Sequence, residues 1–401
     1  MTDQASGRLA ELRSGWRVLL GATLGAGLGV SSIPFYTAGV FVPELERAFG
    51  WSRAQLSVGS LVAMATLAAA SPVAGRLIDR RGVLGPTMLS MTALIAGFVL
   101  LAVQPGSFAL YLMILAAQSA LASSASPIAY TRAVNARFDS ARGLALGITL
   151  AGVGLAAAGA PSLVTWGIER FGWRAAYAAI ALLLTVASPV IILLLRTDPV
   201  AIAPRLSESA ITARLRDGPF AHLLATFIIL AVGLSGLVLH LAPMLRDLGM
   251  TPLEAAGVQG VMGAFILIGR LVIGWALDRF FAPYVAAIVM VATAGGLVIL
   301  GWGGTAYAIP AAAMLGFSMG AEVDLIGYLV ARYWPLGGYG RVYGLLFAGF
   351  LFGTGLSPVF ITQLVASGGG YRLALYGCAA CVLISALAFA RLPQFAKPAT
   401  A

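Results

Sequence analysis

Gly75–Arg76–Leu77–Ile78–Asp79–Arg80 ends one apolar run, and Gly274–Trp275–Ala276–Leu277–Asp278–Arg279 ends another 199 residues later. Gly50 and Gly249, ahead of the same two runs, keep that offset, and so do Arg142 and Arg341, each ahead of a later run. One match could be chance; three in register argue for an internal duplication. The runs that frame these motifs are about 20 to 28 residues long, the length that crosses a hydrocarbon core roughly 30 Å thick. The chain as a whole is 60% hydrophobic and 10% charged, against roughly 25% charged for a soluble domain, so lipid is the solvent for most of it.

Reading apolar runs between charged or Gly/Pro breaks places spans near 16–42, 54–77, 83–103, 107–131, 143–168, 173–195, 219–245, 252–277, 283–302, 304–331, 342–366 and 371–391. This is the pattern of an all-α membrane protein with twelve transmembrane helices in two six-helix pseudo-repeats. Residues 1–196 form the expected N-terminal half and 219–401 the C-terminal half. The stretch 197–218 between them holds Asp198, Pro199, Pro204, Arg205, Ser207, Glu208, Ser209, Arg214 and Arg216, the composition of a solvated, cytoplasmic linker.

The formal charge of +10 does not point to nucleic acid, because the cations are spread between apolar runs and form no basic cluster interleaved with aromatics. Their distribution is topological. Of 25 Lys and Arg, 18 fall in the termini and the even-to-odd loops, six fall in the opposite loops, and Arg270 lies inside a span. The positive-inside rule then puts both termini in the cytoplasm. Residues 1 to 15 are polar and the first run is too long for a signal-peptide core, so it reads as the first span. The expected location is an inner or plasma membrane, crossed many times.

Glu322 and Asp324, in Gly316–Phe317–Ser318–Met319–Gly320–Ala321–Glu322–Val323–Asp324, are the two acids well inside an apolar run. An ionisable group there costs at least about 2.5 kcal/mol and needs a partner or a water-filled cavity. Two residues apart is about 200° around a helix, so the two carboxylates face different ways. Arg270 lies eight residues before Asp278 and Asp324 eight before Arg332, which puts arginine and acid at similar depth. A pair between Arg270 and an acid of the tenth helix would neutralise both, and protonating the acid would free the guanidinium for an anion. The other reading is a permanent ion pair that fixes helices eight and ten.

His240 has a side chain suited to relaying a proton or donating to a substrate, although a lone helical histidine more often makes a local hydrogen bond. Tyr36 and Tyr130 carry hydroxyls able to bind a carboxylate, or serve as packing aromatics. Cys378 and Cys381 lack a second pair for a zinc site and read as packing residues. Glycines of the fifth and eleventh spans lack the Lys-Ser/Thr end of a phosphate loop and read as helix-packing residues. No catalytic triad, nucleotide motif or metal spacing is present in the sequence, so neither an enzyme nor a bound cofactor or metal is expected.

Parallel six-helix halves on one linker are the arrangement of the major facilitator superfamily, and Gly75-x-x-x-Asp79–Arg80 resembles its loop motif. Gly75, Asp79 and Arg80, with Gly274, Asp278 and Arg279, are therefore candidates for a conformational latch; Val83 and Leu84 replace the usual basic residues, which implies a weaker one. Phe35–Tyr36–Thr37–Ala38–Gly39–Val40–Phe41 with Phe49–Gly50–Trp51–Ser52–Arg53 resembles bacterial monocarboxylate transporters of that superfamily. So do Arg137–Phe138–Asp139–Ser140–Ala141–Arg142–Gly143–Leu144–Ala145–Leu146–Gly147 and Gly320–Ala321–Glu322–Val323–Asp324–Leu325, the latter like the oxalate and monocarboxylate branch.

The resemblance implies a secondary transporter of small organic anions, often proton-coupled, with Arg270 in the position that binds carboxylate. Tyr36, Tyr130 and His240 would complete the substrate site, and Glu322 and Asp324 would carry the proton. Animal carriers have an aspartate where Ile266 stands and a lysine in the first span, and oxalate exchangers have a lysine in the eleventh span; this chain has neither lysine. A helix-ten acid replacing the missing aspartate, and a monoanion rather than a dianion, are the corresponding expectations. The expected partners are that anion, a proton and the lipid bilayer, with no nucleic acid, and the monomer as the working unit. A proton-driven exporter of drugs or metabolites is the alternative, disfavoured because the fifth span reads Gly154–Leu155–Ala156–Ala157–Ala158–Gly159–Ala160–Pro161 instead of Gly-Pro-x-x-Gly-Gly. A membrane receptor or intramembrane enzyme would need an appended domain or clustered nucleophiles, which the sequence lacks.

Overall fold

The computed structural model of the chain describes residues 2–196, 215 and 219–395; apart from Leu215, the expected linker 197–218 lies outside the described residues. Among the described residues the regular structure is helical throughout. A polar helix α1 (Thr2–Ser14) precedes the first span, which is split into α2 (Trp16–Leu28) and α3 (Ile33–Phe49). Spans two and three are α4 (Arg53–Arg81) and α5 (Leu84–Val103). The fourth is split into α6 (Phe108–Leu121) and α7 (Pro127–Arg137), and spans five and six are α8 (Arg142–Phe171) and α9 (Trp173–Leu195). The second repeat follows the same plan. Its seventh span is split into α10 (Phe220–Leu234) and α11 (Leu237–Asp247), and α12 (Pro252–Leu277) and α13 (Ala282–Gly303) are the eighth and ninth. The tenth is split into α14 (Ala308–Met319) and α15 (Glu322–Tyr333), and α16 (Tyr339–Leu364) and α17 (Gly370–Ala390) complete the twelve.

The duplication extends to the devices that start and stop helices. Gly50 (φ +71°) ends α3 and Gly249 (φ +96°) follows α11, both in the left-handed region that a side chain disfavours. Ser52 then opens α4 by accepting from the Gln55 amide while the Gln55 side chain accepts from the Ser52 amide. Thr251 and Glu254 open α12 in the same way. Both pairs repeat the 199-residue offset. Helices run past the apolar windows: α3 continues through Glu44, Glu46 and Arg47 to Phe49, because backbone hydrogen bonding and the glycine stop decide its end, not hydropathy.

By contacts the chain forms two compact units. One is Met1–Arg205 with Leu336–Gly344, and the other is Leu206–Pro335 with Leu345–Ala401. In the first, the breaks of spans one and four meet: the Val30 amide donates to Ala125 O (3.1 Å) and Ser32 Oγ to Ala26 O (2.7 Å). In the second, the break of span seven is met by Ser357, whose Oγ accepts from the Gly236 amide (2.7 Å) and donates to Val232 O (2.6 Å). Such partners are obligatory where lipid offers no hydrogen bonds to an interrupted backbone.

Helix α1 is tied to the loop between α7 and α8. Glu11 accepts from the Asp139 amide (2.7 Å), Ser140 Oγ (2.7 Å) and the Ala141 amide (2.8 Å). Arg8 Nε donates to Ser140 O (3.0 Å) and Arg137 Nη2 to Ser14 Oγ (2.8 Å). Burial alone would raise the Glu11 carboxyl, but the hydrogen bonds from Asp139, Ser140 and Ala141 outweigh it and hold the group below its ordinary value.

Candidate functional site

The second unit brings the predicted charges together. Helices α12 and α14 approach so closely that side chains on three glycines would collide with the facing backbone: Gly316 with Met262, Gly269 with Phe317, and Gly320 with Ile266 and Arg270. Small residues at such contacts let backbones touch. The approach sets Arg270 beside the break between α14 and α15. There Arg270 Nη1 donates to Asp324 Oδ1 at 2.9 Å, with Arg270, Glu322 and Asp324 all buried.

The pair does not use up its polar atoms. Among the described residues Arg270 Nε, Asp324 Oδ2 and Glu322 Oε1 are buried without a hydrogen-bond partner. Both acids lie in the first turn of α15. A half-helix N-terminus favours an anion by up to about 2 kcal/mol, less than the roughly 2.5–3.5 kcal/mol that an unpaired charge costs in an apolar core. Arg270 supplies the difference directly to Asp324 and makes no hydrogen bond to Glu322. The two carboxyl groups, expected to face different ways, are unequal in chemistry.

Other predicted residues divide in the same manner. His240 Nδ1 lies 2.9 Å from Gly236 O, which fixes the proton on that nitrogen, and Nε2 is 3.5 Å from Thr362 Oγ1. This is the local hydrogen bond that a lone helical histidine commonly makes. In the first unit Tyr130 is fully buried, its ring against Gly25 and its hydroxyl without a hydrogen-bond partner among the described residues. Tyr36 is half-buried, edge-on to Phe35.

The two copies of the latch motif also differ. Gly75 packs on the Gly340 backbone so tightly that a Cβ would not fit. Asp79 Oδ1 accepts from Arg132 Nε (3.1 Å) and the Gly340 amide (2.9 Å), and Oδ2 from the Arg341 amide (2.9 Å). It thereby places a carboxylate on the first-turn amides of α16. Arg80 is exposed. In the second copy Gly274 is buried, Asp278 caps the end of α12, and Arg279 folds back over Trp275, 4.0 Å from the ring and 3.1 Å from its carbonyl oxygen.

Residues 19–345 match the Major Facilitator Superfamily. The chain belongs to that superfamily. It is similar to monocarboxylate transporter 13 of Bos taurus, 29% identical over 292 residues, which cover 71% of this chain and 66% of the relative, just under two thirds of its length. It is also similar to monocarboxylate transporter 11 of Mus musculus, 27% identical over 398 residues, 95% of this chain and 88% of the relative. Among solved structures the fucose:proton symporter FucP of E. coli superposes with a TM-score of 0.76 at 15% identity, covering 96% of this chain and 99% of that one. The human organic anion transporter MFSD10 does so with 0.74 at 15%, covering 94% and 99%. At these identities the solved structures speak for the fold. As a major facilitator, the chain is a multi-pass membrane protein and a transporter.

Two residues of this major facilitator escaped the sequence reading. Arg132, 2% exposed, is a second buried cation and corrects the expectation that Arg270 stands alone inside the spans. Tyr339 is fully buried, its hydroxyl donating to Thr131 Oγ1 (2.9 Å) and accepting from Asn135 Nδ2 (3.1 Å). Arg132 lies one residue beyond the apolar window that ended at 131, so a window counts it as loop. Its signal was the unbroken helical spacing from Pro127 to Arg137.

Proposed function

We propose that this superfamily member is a secondary active transporter that moves a small organic anion, a monocarboxylate, together with a proton by alternating access. The observation that carries this reading is the Arg270–Asp324 pair at 2.9 Å, buried where the tenth span breaks. A guanidinium has five donors, enough to hold a carboxylate. When an anion takes Arg270, the displaced helix-ten acid is left in an apolar interior and takes a proton, so anion and proton travel together without net charge. Arg270 is the arginine that pairs with the buried acids of the tenth span, and no lysine lies within the spans, which favours a monoanion over a dianion. The names of the mammalian relatives support the same class of cargo. The charge asymmetry of the loops supports cytoplasmic termini, in a bacterial inner membrane by the resemblance of the sequence.

Uptake of labelled pyruvate, lactate and aromatic monocarboxylates into proteoliposomes tests the proposal. Electroneutral uptake that speeds up when the outside is acidic is expected. Rates indifferent to the pH gradient would remove the proton coupling, and intact uptake by Arg270→Ala would remove the binding role of the arginine.

A further inference from the structure

We infer that Glu322 stays protonated through the transport cycle and acts as a neutral O–H donor to the anion at Arg270, while Asp324 alone takes up and releases the transported proton. This rests on the carrier reading above. The helices that form the site carry few ionisable groups: Glu254 at the start of α12 and Arg270 on it, Tyr284 on α13, none on α14, and Glu322, Asp324, Tyr328, Arg332 and Tyr333 on α15. Tyr328 donates to Leu277 O (2.6 Å) and accepts from Arg332, which occupies both away from the acids. Arg270 is then the one cation for two buried carboxyl groups, and Asp324 has it.

With both acids ionised the apolar interior would hold a net negative charge, whereas one proton on the unpaired acid makes the empty site neutral. The half-helix dipole acts on the first turn as a whole and does not reverse the order. Proton and anion binding are coupled where they share a partner. Asp324 shares Arg270 with the incoming anion directly; Glu322 does not. Loading is therefore one exchange at Arg270: the anion replaces the Asp324 carboxylate, Asp324 gains one proton, and Glu322 keeps the proton it had.

The purified full-length protein gives a readout that needs no transported solute. At neutral pH the wild type, with Asp324 ionised against Arg270, is expected to show a protonated-carboxyl C=O band in the infrared that Glu322→Gln lacks. In proteoliposomes Glu322→Leu should raise KM on the order of tenfold, Glu322→Gln should restore part of that loss, and both should keep the wild-type ratio of uptake with and without a pH gradient. Asp324→Asn should lose that ratio. Identical infrared spectra for the wild type and Glu322→Gln, or gradient-independent uptake by Glu322→Gln, would overturn the inference. Should Glu322→Leu not fold, the infrared pair and Glu322→Gln decide. If the wild type carries no monocarboxylate at all, the carrier reading falls while the infrared band still reports on Glu322.

Discussion

Removing one member of a buried ion pair differs from removing both. Asp324→Ala strands the Arg270 guanidinium in an apolar interior and should cost about 3–5 kcal/mol of stability, whereas the double variant Arg270→Met/Asp324→Leu should recover most of it. Thermal unfolding of the wild type and the two variants in one detergent checks this, and equal losses in the single and double variants would mean that the pair is solvated. Glu11 offers a second test at this scale, outside the membrane. Its carboxyl is held below the ordinary value of 4.5, so its stabilising contacts are complete above that pH and are lost as pH falls through the lowered value. Hydrogen exchange in Arg8–Ser14 should accelerate on acidification through that range, and Glu11→Gln should exchange fast at neutral pH with little further change. Single charges were the most legible part of the sequence, because an ion inside an apolar run has no ordinary reason to be there; their partners were legible only where spacing fixed depth, as for Arg270 and Asp324.

At the scale of elements, the helix count was readable from run length, whereas the four interrupted spans were not. Gly29–Ser32, Ala122–Ser126, Ser235–Gly236 and Gly320–Ala321 lie within apolar sequence, and hydropathy is blind to a missing backbone hydrogen bond. The break at Gly320 depends on contact: a side chain there meets Ile266 O and the Arg270 amide. Gly320→Val should therefore push α14 from α12 and part Arg270 from Asp324. We expect lost anion uptake with α-helical content retained, while Gly257→Ala, on α12 where a Cβ meets open space, should be tolerated within about 0.5 kcal/mol. Uptake and circular dichroism on the same preparations separate this from global unfolding.

At the scale of the molecule, the scaffold is repeated and the chemistry is not. The offset of 199 residues, visible in glycine stops, capping pairs and the Gly-x-x-x-Asp-Arg element, carries the architecture twice. What the offset cannot show is how deeply each copy is buried, since that depends on segments far away in sequence. Asp79 met Arg132 and the amides of Gly340 and Arg341, whereas Asp278 stayed half-buried at a helix C-terminus, where a negative charge gains little. Equal motifs should then respond unequally to the same substitution. Asp79→Asn leaves Arg132 buried without its counter-charge and takes an acceptor from α16, so it should lower stability by about 3 kcal/mol or more and slow transport. Asp278→Asn, with its side chain half in water, should cost less, about 1 kcal/mol or under. Melting temperature and uptake rate of the two variants side by side test this. Matched losses would mean that both copies of the motif act as latches, and that the asymmetry of burial has no counterpart in function.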